Sequence, residues 1–277
     1  MFVPSFWPGV RRAADQPDLE VLHRRPTERR FQTPLVFVHG AFVGGWCWDC
    51  YFLDWFADQG FEVYAPSLRG HAGSDGHLNS SGVMDYVADL ASVIAQLAVP
   101  PVIIGHSMGG LVTQRYLEDH SAAAAVLMAS VPLTGLTDSS LRLATGDPAL
   151  FTQMALMQVV PQAVDVAVAR RAIFSDQIPD EELARYAGRV QSESQRAIWD
   201  MTVGALPRPW RVTEVPMFVL GAADDRLFSP AEVRRTAEAY NAPVHIEPGM
   251  AHAMMLEPGW AGIANRIHEW LLGLDLA

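Results

Sequence analysis

Apolar positions along the chain follow two patterns that alternate. Short continuous apolar runs are separated by longer stretches in which apolar residues recur at every third or fourth position. The runs predict strands buried on both faces, and the stretches predict amphipathic helices. The predicted strands are 34–40, 61–67, 100–105, 123–130, 216–221 and 243–249, and the predicted helices are 46–60, 81–98, 109–120, 230–241 and 259–272. This alternation indicates the α/β class, with a mostly parallel central sheet and helices on both of its faces.

The stretch 133–208 departs from this alternation. It contains no run of strand type, but "PALFTQMALM" and "PDEELARYAGRVQ" within it have helical patterns. Because the strand pattern resumes intact afterwards, we expect a helical cap inserted over the carboxyl edge of the sheet, where open α/β sheets bind ligands. The domains are then an α/β core of 1–132 and 209–277 and a helical cap of 133–208. Ordinary covering helices are the alternative interpretation.

The composition is informative mainly because it argues against certain classes of partner and reaction. Half of the 277 residues are hydrophobic, as in a globular protein with a sizeable core. The formal net charge is −11, which argues against a nucleic-acid partner because phosphate binding needs clustered positive charge. All 20 basic residues are arginine, and the absence of lysine removes one class of reaction considered below.

Cysteine usage and apolar run length bear on location. Cys47 and Cys50 are the only cysteines, too few for a four-ligand zinc site, and we interpret both as reduced thiols. The first residues lack the order of a signal peptide, and the longest apolar run, 122–131, is too short to cross a bilayer. We expect a cytoplasmic protein with no membrane span, no metal and no cofactor. A homodimer is compatible with the sequence.

The candidate nucleophile is Ser107 in "VIIGHSMGGL". It follows a predicted central strand and precedes a predicted helix, with Gly105 and Gly109 on either side. In that context G-x-S-x-G forms a nucleophile elbow, a turn so tight that only small flanking residues fit. A glycine-rich phosphate loop is the alternative, but it usually needs a lysine. The strand–GHSMGG–helix context favours the nucleophile.

A serine nucleophile needs a histidine base and an orienting acid, which on such a sheet follow it in the order acid, then histidine. His252 lies in a predicted loop between the last strand and the last helix, and we take it as the base. The remaining downstream histidines lie on predicted helices or a strand: His120, His245 and His268. The acid is one of two neighbours after the strand 216–221. We favour Asp225, because the apolar pair after Arg226 can anchor its loop, and keep Asp224 as second choice.

The oxyanion of a tetrahedral intermediate needs preorganised N–H donors. Met108 supplies one as the residue after the nucleophile. The second is expected from the loop after the strand 34–40, from Ala41 or, as second choice, Phe42; we expect His39 to be structural. Candidate substrate-contacting side chains are those near the elbow, the aromatic helix and the cap: Phe42, Trp46, His106, Met154 and Met157.

Five stretches together resemble the α/β-hydrolase fold superfamily in order and spacing: "HGAFVGGWCW", "SLRGHAGS", "GHSMGG", "DRLFSP" and "AHAMMLEPG". The resemblance covers nearly the whole chain after about residue 18. The first stretch is particularly similar to the branch that contains plant methylesterases and hydroxynitrile lyases. Position by position, the resemblance implies Ser107 as nucleophile, Asp225 as acid and His252 as base, with Ala41 and Met108 as oxyanion donors.

Departures from the relatives narrow the chemistry. Haloalkane dehalogenases and epoxide hydrolases of this fold carry an aspartate at the elbow, where this chain has Ser107. The hydroxynitrile lyases use a lysine beside the catalytic histidine, where this chain has Ala253. Cyanohydrin cleavage by that mechanism is therefore disfavoured. The usual RGHG turn reads Arg69-Gly70-His71-Ala72-Gly73 here, a small change.

The sequence thus predicts a serine hydrolase that cleaves a small to medium carboxylic ester, thioester or lactone through an acyl-enzyme on Ser107. The partner is a small-molecule acyl substrate. Other chemistry on the same triad is the first alternative: carbon–carbon bond hydrolysis, perhydrolysis, acyl transfer or a cofactor-free lyase or oxygenase reaction. A hydrolase-like small-molecule binding protein is the second.

Overall fold

The computed structural model describes residues 17–159, 166–274 and 276. Within them, seven strands form one sheet in the order β1-β3-β2-β4-β5-β6-β7. The strands are β1 (Val21–Arg24), β2 (Leu35–Val38), β3 (Val63–Pro66), β4 (Val102–His106), β5 (Ala124–Met128), β6 (Met217–Ala222) and β7 (Val244–Glu247). The first strand pairs antiparallel with β3, and every other pairing is parallel. The prediction of an α/β fold with a mostly parallel sheet is confirmed.

Eleven α-helices lie in the described residues: α1 (Trp46–Asp49), α2 (Phe52–Asp58), α3 (Val83–Ile94), α4 (Met108–Tyr116), α5 (Thr137–Gly146), α6 (Pro148–Val159), α7 (Val166–Ile173), α8 (Asp180–Ala187), α9 (Gln195–Trp199), α10 (Pro230–Ala239) and α11 (Trp260–Leu272). Short 3₁₀ turns cover Leu78–Ser80 and Pro209–Arg211, and a π-helical turn covers Asp200–Gly204. None of the helices in the described part of the chain is long and apolar enough to cross a membrane.

Successive residues of each central strand enter two separate apolar clusters, one on each face of the sheet. On β2, Leu35 and Phe37 pack with α1, α2 and α11, whereas Val36 and Val38 pack with α3, α4 and α10. Helices cover both faces of the sheet, so both faces are shielded from solvent. The central strands therefore consist of continuous apolar residues, which is why their sequences show no alternation with polar ones.

The structure differs from the prediction at two elements near the amino terminus. The predicted helix 46–60 is broken, because Tyr51 leaves helical geometry with φ −150° and its ring stacks on Trp260 at 4.8 Å. The strand β1 was not predicted. Its four residues, "VLHR", are all half-buried at the edge of the sheet, and a short strand of mixed polarity gives no apolar run to detect.

The residues between β5 and β6 that the structure describes form helices and turns, without a strand. We call this stretch, 133–208, the inserted segment. Its contacts with the core include one to each of three loops. Arg142 donates to Leu227 O at 2.6 Å, Ile173 O accepts from Ala253 N at 2.9 Å, and Glu193 accepts from Phe42 N at 3.2 Å. Each of these loops carries a residue that the sequence singles out as a candidate for chemistry.

Candidate active site

Ser107 occupies the single position between β4 and α4. Its backbone has φ 52° and ψ −116°, in a region that residues with a side chain seldom adopt. Four backbone hydrogen bonds hold it there. Ser107 N donates to Met128 O at 3.1 Å, and Ser107 O accepts from Gly110 N at 3.0 Å, Val131 N at 3.1 Å and Leu111 N at 3.3 Å. The chain therefore maintains a strained turn that projects the serine side chain away from both elements.

The glycines on either side of the elbow are required by packing. A Cβ on Gly105 would overlap Gly109 O and the hydroxyl of Thr113. A Cβ on Gly109 would overlap the carbonyl oxygens of Val38 and His39, which end the neighbouring strand. Because these obstacles are mostly backbone atoms, they cannot move aside, and α4 can start this close to the sheet only with glycine at both positions.

The base and acid candidates are in direct contact. His252 Nδ1 lies 2.8 Å from Asp225 Oδ2, and both side chains are buried. The other carboxylate oxygen, Asp225 Oδ1, accepts from Leu227 N at 2.7 Å and Phe228 N at 3.0 Å. These bonds fix the carboxylate so that it orients the imidazole. Asp224 is exposed, so the structure brings Asp225 rather than Asp224 to the histidine.

His106 joins the elbow to the loop that carries His252. Its Nε2–H donates to His252 O at 2.9 Å, and the two imidazole rings lie 4.8 Å apart. Burial, together with the neighbouring His252, lowers the pKa of His106 well below its usual value. His106 therefore stays neutral and holds the main chain of His252 through this contact.

The serine hydroxyl itself is uncommitted. Ser107 is half-buried, and its Oγ makes no hydrogen bond to any of the described residues. Gly40 brings the loop after β2 against the elbow, since a Cβ there would lie 3.1 Å from Ser107 Cβ. The elbow, the loop after β2 and the loop of His252 thus meet at the carboxyl ends of β4, β2 and β7, the edge where α/β sheets carry their sites.

Two backbone amides near Ser107 are available as donors. Within residues 17–159, 166–274 and 276, neither Ala41 N nor Met108 N has an acceptor. Met108 is the first residue of α4, and the first amides of a helix have no partner within it. Phe42 N is already taken, because it donates to Glu193. Of the two predicted choices in this loop, the structure leaves Ala41 free.

The side chains predicted to contact substrate are spread over different surroundings. Phe42 is half-buried in the loop after β2. Trp46 is buried beneath the inserted segment, stacked on Tyr186 and covered by the Arg189 guanidinium at 4.3 Å. Met154 packs on the small cluster of Leu143, Leu150 and Ala172, together with Leu227 of the acid loop and Ile173. The Met157 side chain lies outside the described residues.

His39 is a structural histidine, as the sequence predicts. Its Nδ1–H donates to Gly40 O at 2.8 Å, and its Nε2 accepts from Leu68 N at 2.9 Å. Complete burial, reinforced by the neighbouring His71, lowers the pKa of His39 to about 3. The neutral ring therefore holds the turn after β2 in place and has no nitrogen left for proton transfer.

This buried neutral histidine predicts a pH dependence of stability. Between pH 6.5 and about 3, His39 is protonated in the unfolded state and neutral in the folded state. The stability that the neutral ring contributes to the fold is therefore complete above pH 6.5 and is lost as the pH falls. His39→Gln should flatten the curve of unfolding free energy against pH by up to about 1.4 kcal/mol per pH unit in that window. Urea titrations from pH 4 to 7 measure the slope. The exposed His77 supplies the control, and an H77Q slope equal to that of H39Q would contradict the assignment.

Comparison with known proteins identifies the family. A sequence profile described as "Alpha/beta hydrolase family" matches residues 35–263. The chain belongs to the α/β hydrolase family. Among the relatives of this α/β hydrolase, a pyrethroid hydrolase of Sphingobium wenxiniae is 26% identical over 224 residues, which are 77% of this chain and 79% of that protein. The branch indicated by "HGAFVGGWCW" stays a prediction.

Solved structures show the same fold. An esterase from Exiguobacterium antarcticum superposes with a TM-score of 0.73 at 16% identity, covering 93% of this α/β hydrolase and 97% of that chain. A monoacylglycerol lipase from Paleococcus ferrophilus superposes with a TM-score of 0.69 at 20% identity, covering 93% and 99%. At these identities the likeness concerns the fold, and the chemistry has to be argued from the site.

Three residues that contact the site loops were not singled out from the sequence. They are Arg142, Gln191 and Glu193, all on the inserted segment. Glu193 is 151 positions from Phe42, whose amide it binds, and no motif or periodicity links the two. Within the described residues, no group of three histidine, cysteine or acidic side chains could hold a metal ion.

Proposed function

We propose that this α/β hydrolase cleaves a small to medium carboxylic ester, thioester or lactone through an acyl-enzyme on Ser107. The observation that carries the proposal is the buried Asp225–His252 pair, joined through His106 to the strained elbow that presents an uncommitted serine hydroxyl. A merely structural serine would not need such a turn. The names of the relatives, a pyrethroid hydrolase, an esterase and a monoacylglycerol lipase, support an ester as substrate.

In the acylation half, His252 Nε2 takes the proton of Ser107 Oγ while that oxygen attacks the acyl carbon. The carbonyl oxygen becomes an oxyanion, which the free amides of Ala41 and Met108 stabilise; each good donor is worth on the order of 3 kcal/mol. When the intermediate collapses, the bond to the alcohol or thiol breaks, and His252 returns the proton to that leaving group. Asp225 stabilises the imidazolium that exists between these two transfers.

Deacylation repeats the sequence with water. His252 removes a proton from a water molecule, whose oxygen attacks the Ser107 ester, and a second oxyanion forms between the same two amides. Collapse releases the carboxylic acid and restores the serine hydroxyl with the proton held by His252. A lactone follows the same path, with the alcohol remaining attached to the product.

We further propose that the inserted segment, 133–208, is a cap that shapes the acyl or alcohol pocket. Met154 supports this, because it belongs to an apolar cluster that includes Leu227 of the acid loop and Ile173, whose carbonyl binds the loop of His252. Trp46 supports the inserted segment from the core side, because it is buried under Tyr186. Apolar side chains above the triad suit an uncharged acyl chain.

A fluorophosphonate tests the proposal without knowledge of the natural substrate. We expect intact-mass analysis to show one adduct per chain, and peptide mapping to place it on Ser107, because only an activated serine reacts quickly with this reagent. Acid-unfolded protein is the control and should remain unlabelled. A panel of nitrophenyl esters, an acyl thioester and a lactone then defines the class. An unlabelled native protein, or an adduct on another residue, would overturn the nucleophile assignment.

A further inference from the structure

Glu193 is a buried carboxylate on the inserted segment that faces the core of the protein. The residue is 1% exposed, between α8 and α9. Its Oε2 accepts from Phe42 N at 3.2 Å and lies 3.0 Å from His71 Nε2. Its Oε1 accepts from Tyr86 OH at 3.0 Å and from Ser194 N at 2.7 Å. Four partners satisfy both oxygens, which is the condition under which a buried carboxylate is tolerated.

The partner that matters for chemistry is the amide of Phe42, the residue after Ala41. Phe42 has φ 68°, in the left-handed region that is unfavourable for a bulky side chain. Its peptide groups are held on both sides by the inserted segment. Phe42 N donates to Glu193, and Phe42 O accepts from Gln191 N at 2.9 Å. A strained conformation persists only where its surroundings over-determine it, and here these two contacts do so.

Gln191, whose backbone N binds Phe42 O, is itself anchored to the core by its side chain. The side chain of Gln191 accepts from Ala72 N at 2.8 Å and donates to Gly70 O at 3.0 Å, so it is fixed on the turn after β3. His71, from the same turn, completes the shell around Glu193. Glu193 and Gln191 are thus pinned to the core independently of Phe42, and they can impose a geometry on the loop that they hold.

We propose that Glu193 is a positioning residue that holds residues 40–43, here called the oxyanion loop, in the conformation that leaves the Ala41 amide free beside Ser107. The proposal rests on the hydrolase mechanism given above. Without an acceptor for Phe42 N, the loop is expected to relax out of the left-handed conformation. That relaxation rotates the peptide between Ala41 and Phe42 and, through the Ala41 backbone dihedrals, displaces the preceding peptide, which carries the Ala41 N–H. The inserted segment then contributes to the rate of the reaction as well as to substrate choice.

The kinetic consequence follows from when the Ala41 amide is used. An oxyanion exists in the transition state and is absent from the bound ester, so a misplaced donor lowers kcat and leaves KM nearly unchanged. A defect in the pocket would instead raise KM. The affinity for a trifluoromethyl ketone, which forms an oxyanion on the serine, should fall by the same factor as kcat/KM.

The test compares Glu193→Ala with Glu118→Ala. Glu118 is a matched control because its side chain is equally buried and it also accepts a backbone amide from the end of the inserted segment, Arg208 N at 2.8 Å. It follows the far end of α4, about 15 Å from Ser107 at 1.5 Å per residue. We expect E193A to lower kcat at least tenfold and up to about 10³-fold, as loss of an oxyanion donor does. E118A should keep kcat within twofold once both values are corrected for folded fraction.

Hydrogen exchange of the peptide covering residues 40–43 provides a readout that needs no turnover. We expect at least tenfold faster exchange of this peptide in E193A and no change in E118A. Glu193→Gln keeps the side-chain volume and serves if E193A does not fold; its single acceptor oxygen should give a smaller change in the same direction. If the wild type cleaves no ester, the proposed function fails, while the exchange rates still decide whether Glu193 holds the loop.

Two results would overturn the role of Glu193. One is unchanged exchange of residues 40–43 in both Glu193 variants. The other is a loss of kcat in E193A that E118A reproduces, or that comes with a proportional rise in KM, because either would show a general effect of a disturbed cap. Rapid exchange with reduced kcat, constant KM and weakened binding of the trifluoromethyl ketone supports it.

Discussion

Ser107→Ala is expected to lower kcat for a carboxylic ester by about 10⁵- to 10⁶-fold, the loss typical of removing the nucleophile from a triad. The remaining activity would come from the free amides of Ala41 and Met108 acting on direct attack by water. The fold should tolerate the change, since Ser107 Oγ makes no hydrogen bond to the described residues and Ala keeps the Cβ. Steady-state kinetics and a thermal melt of the same preparation measure both effects.

Ser80→Ala is the control for this variant, because Ser80 is exposed and, within the described residues, its hydroxyl bonds only to His77 O in its own turn. It should keep full activity and full fluorophosphonate labelling. S107A should lose the adduct together with the activity. Retained hydrolysis in S107A would show that another group attacks the ester, and it would overturn the assignment of Ser107 as nucleophile.

Asp225→Asn should lower kcat by about 10⁴-fold with little change in KM, because an amide in place of the carboxylate favours the wrong histidine tautomer. The loop should keep its shape, since the oxygen of Asn can still accept from Leu227 N and Phe228 N. The measurement is kcat and KM on the same ester, with a melting curve to confirm that the fold is intact.

Asp224→Asn is a matched control one residue away. Asp224 is exposed, and its contact with the rest of the chain is the backbone bond from Asp224 N to Met250 O, which the substitution leaves intact. We expect D224N to stay within twofold of the wild type. A large loss in D224N with a small one in D225N would exchange the roles that the geometry gives to these two carboxylates.

Much of the fold and the elbow of the candidate site could be predicted because their signals are local. The strands β2, β4, β5 and β6 are continuous apolar runs, so each run by itself predicts a strand that is buried on both faces. The elbow is equally local, since the overlap that forces Gly105 and Gly109 arises within a strand, a turn and a helix. His252 and Asp225 follow from chain order, and the structure brings the two within 2.8 Å.

What sequence reasoning missed is non-local. The break at Tyr51 depends on a ring, Trp260, that lies more than 200 positions later. The contact between Glu193 and Phe42 joins a polar residue on an irregular stretch to a loop amide, and neither end has a periodic pattern. His106 was expected to contact substrate because it is next to Ser107 in sequence, and Trp46 because it lies in the predicted aromatic helix after the strand 34–40. Nearness in sequence does not fix the direction of a side chain, and Trp46 is buried under Tyr186 while His106 binds a carbonyl.

The contacts of the inserted segment with the loops of Asp225, His252 and Ala41 have a consequence for recombination between relatives. A chimaera that exchanges all of 133–208 for the corresponding stretch of another family member also exchanges Arg142, Ile173 and Glu193, the supports of all three loops. A graft of residues 147–165, which include α6, changes the apolar side chains of that helix and leaves Arg142, Ile173 and Glu193 in place. The useful unit of exchange is therefore smaller than the insertion that a sequence alignment would delimit.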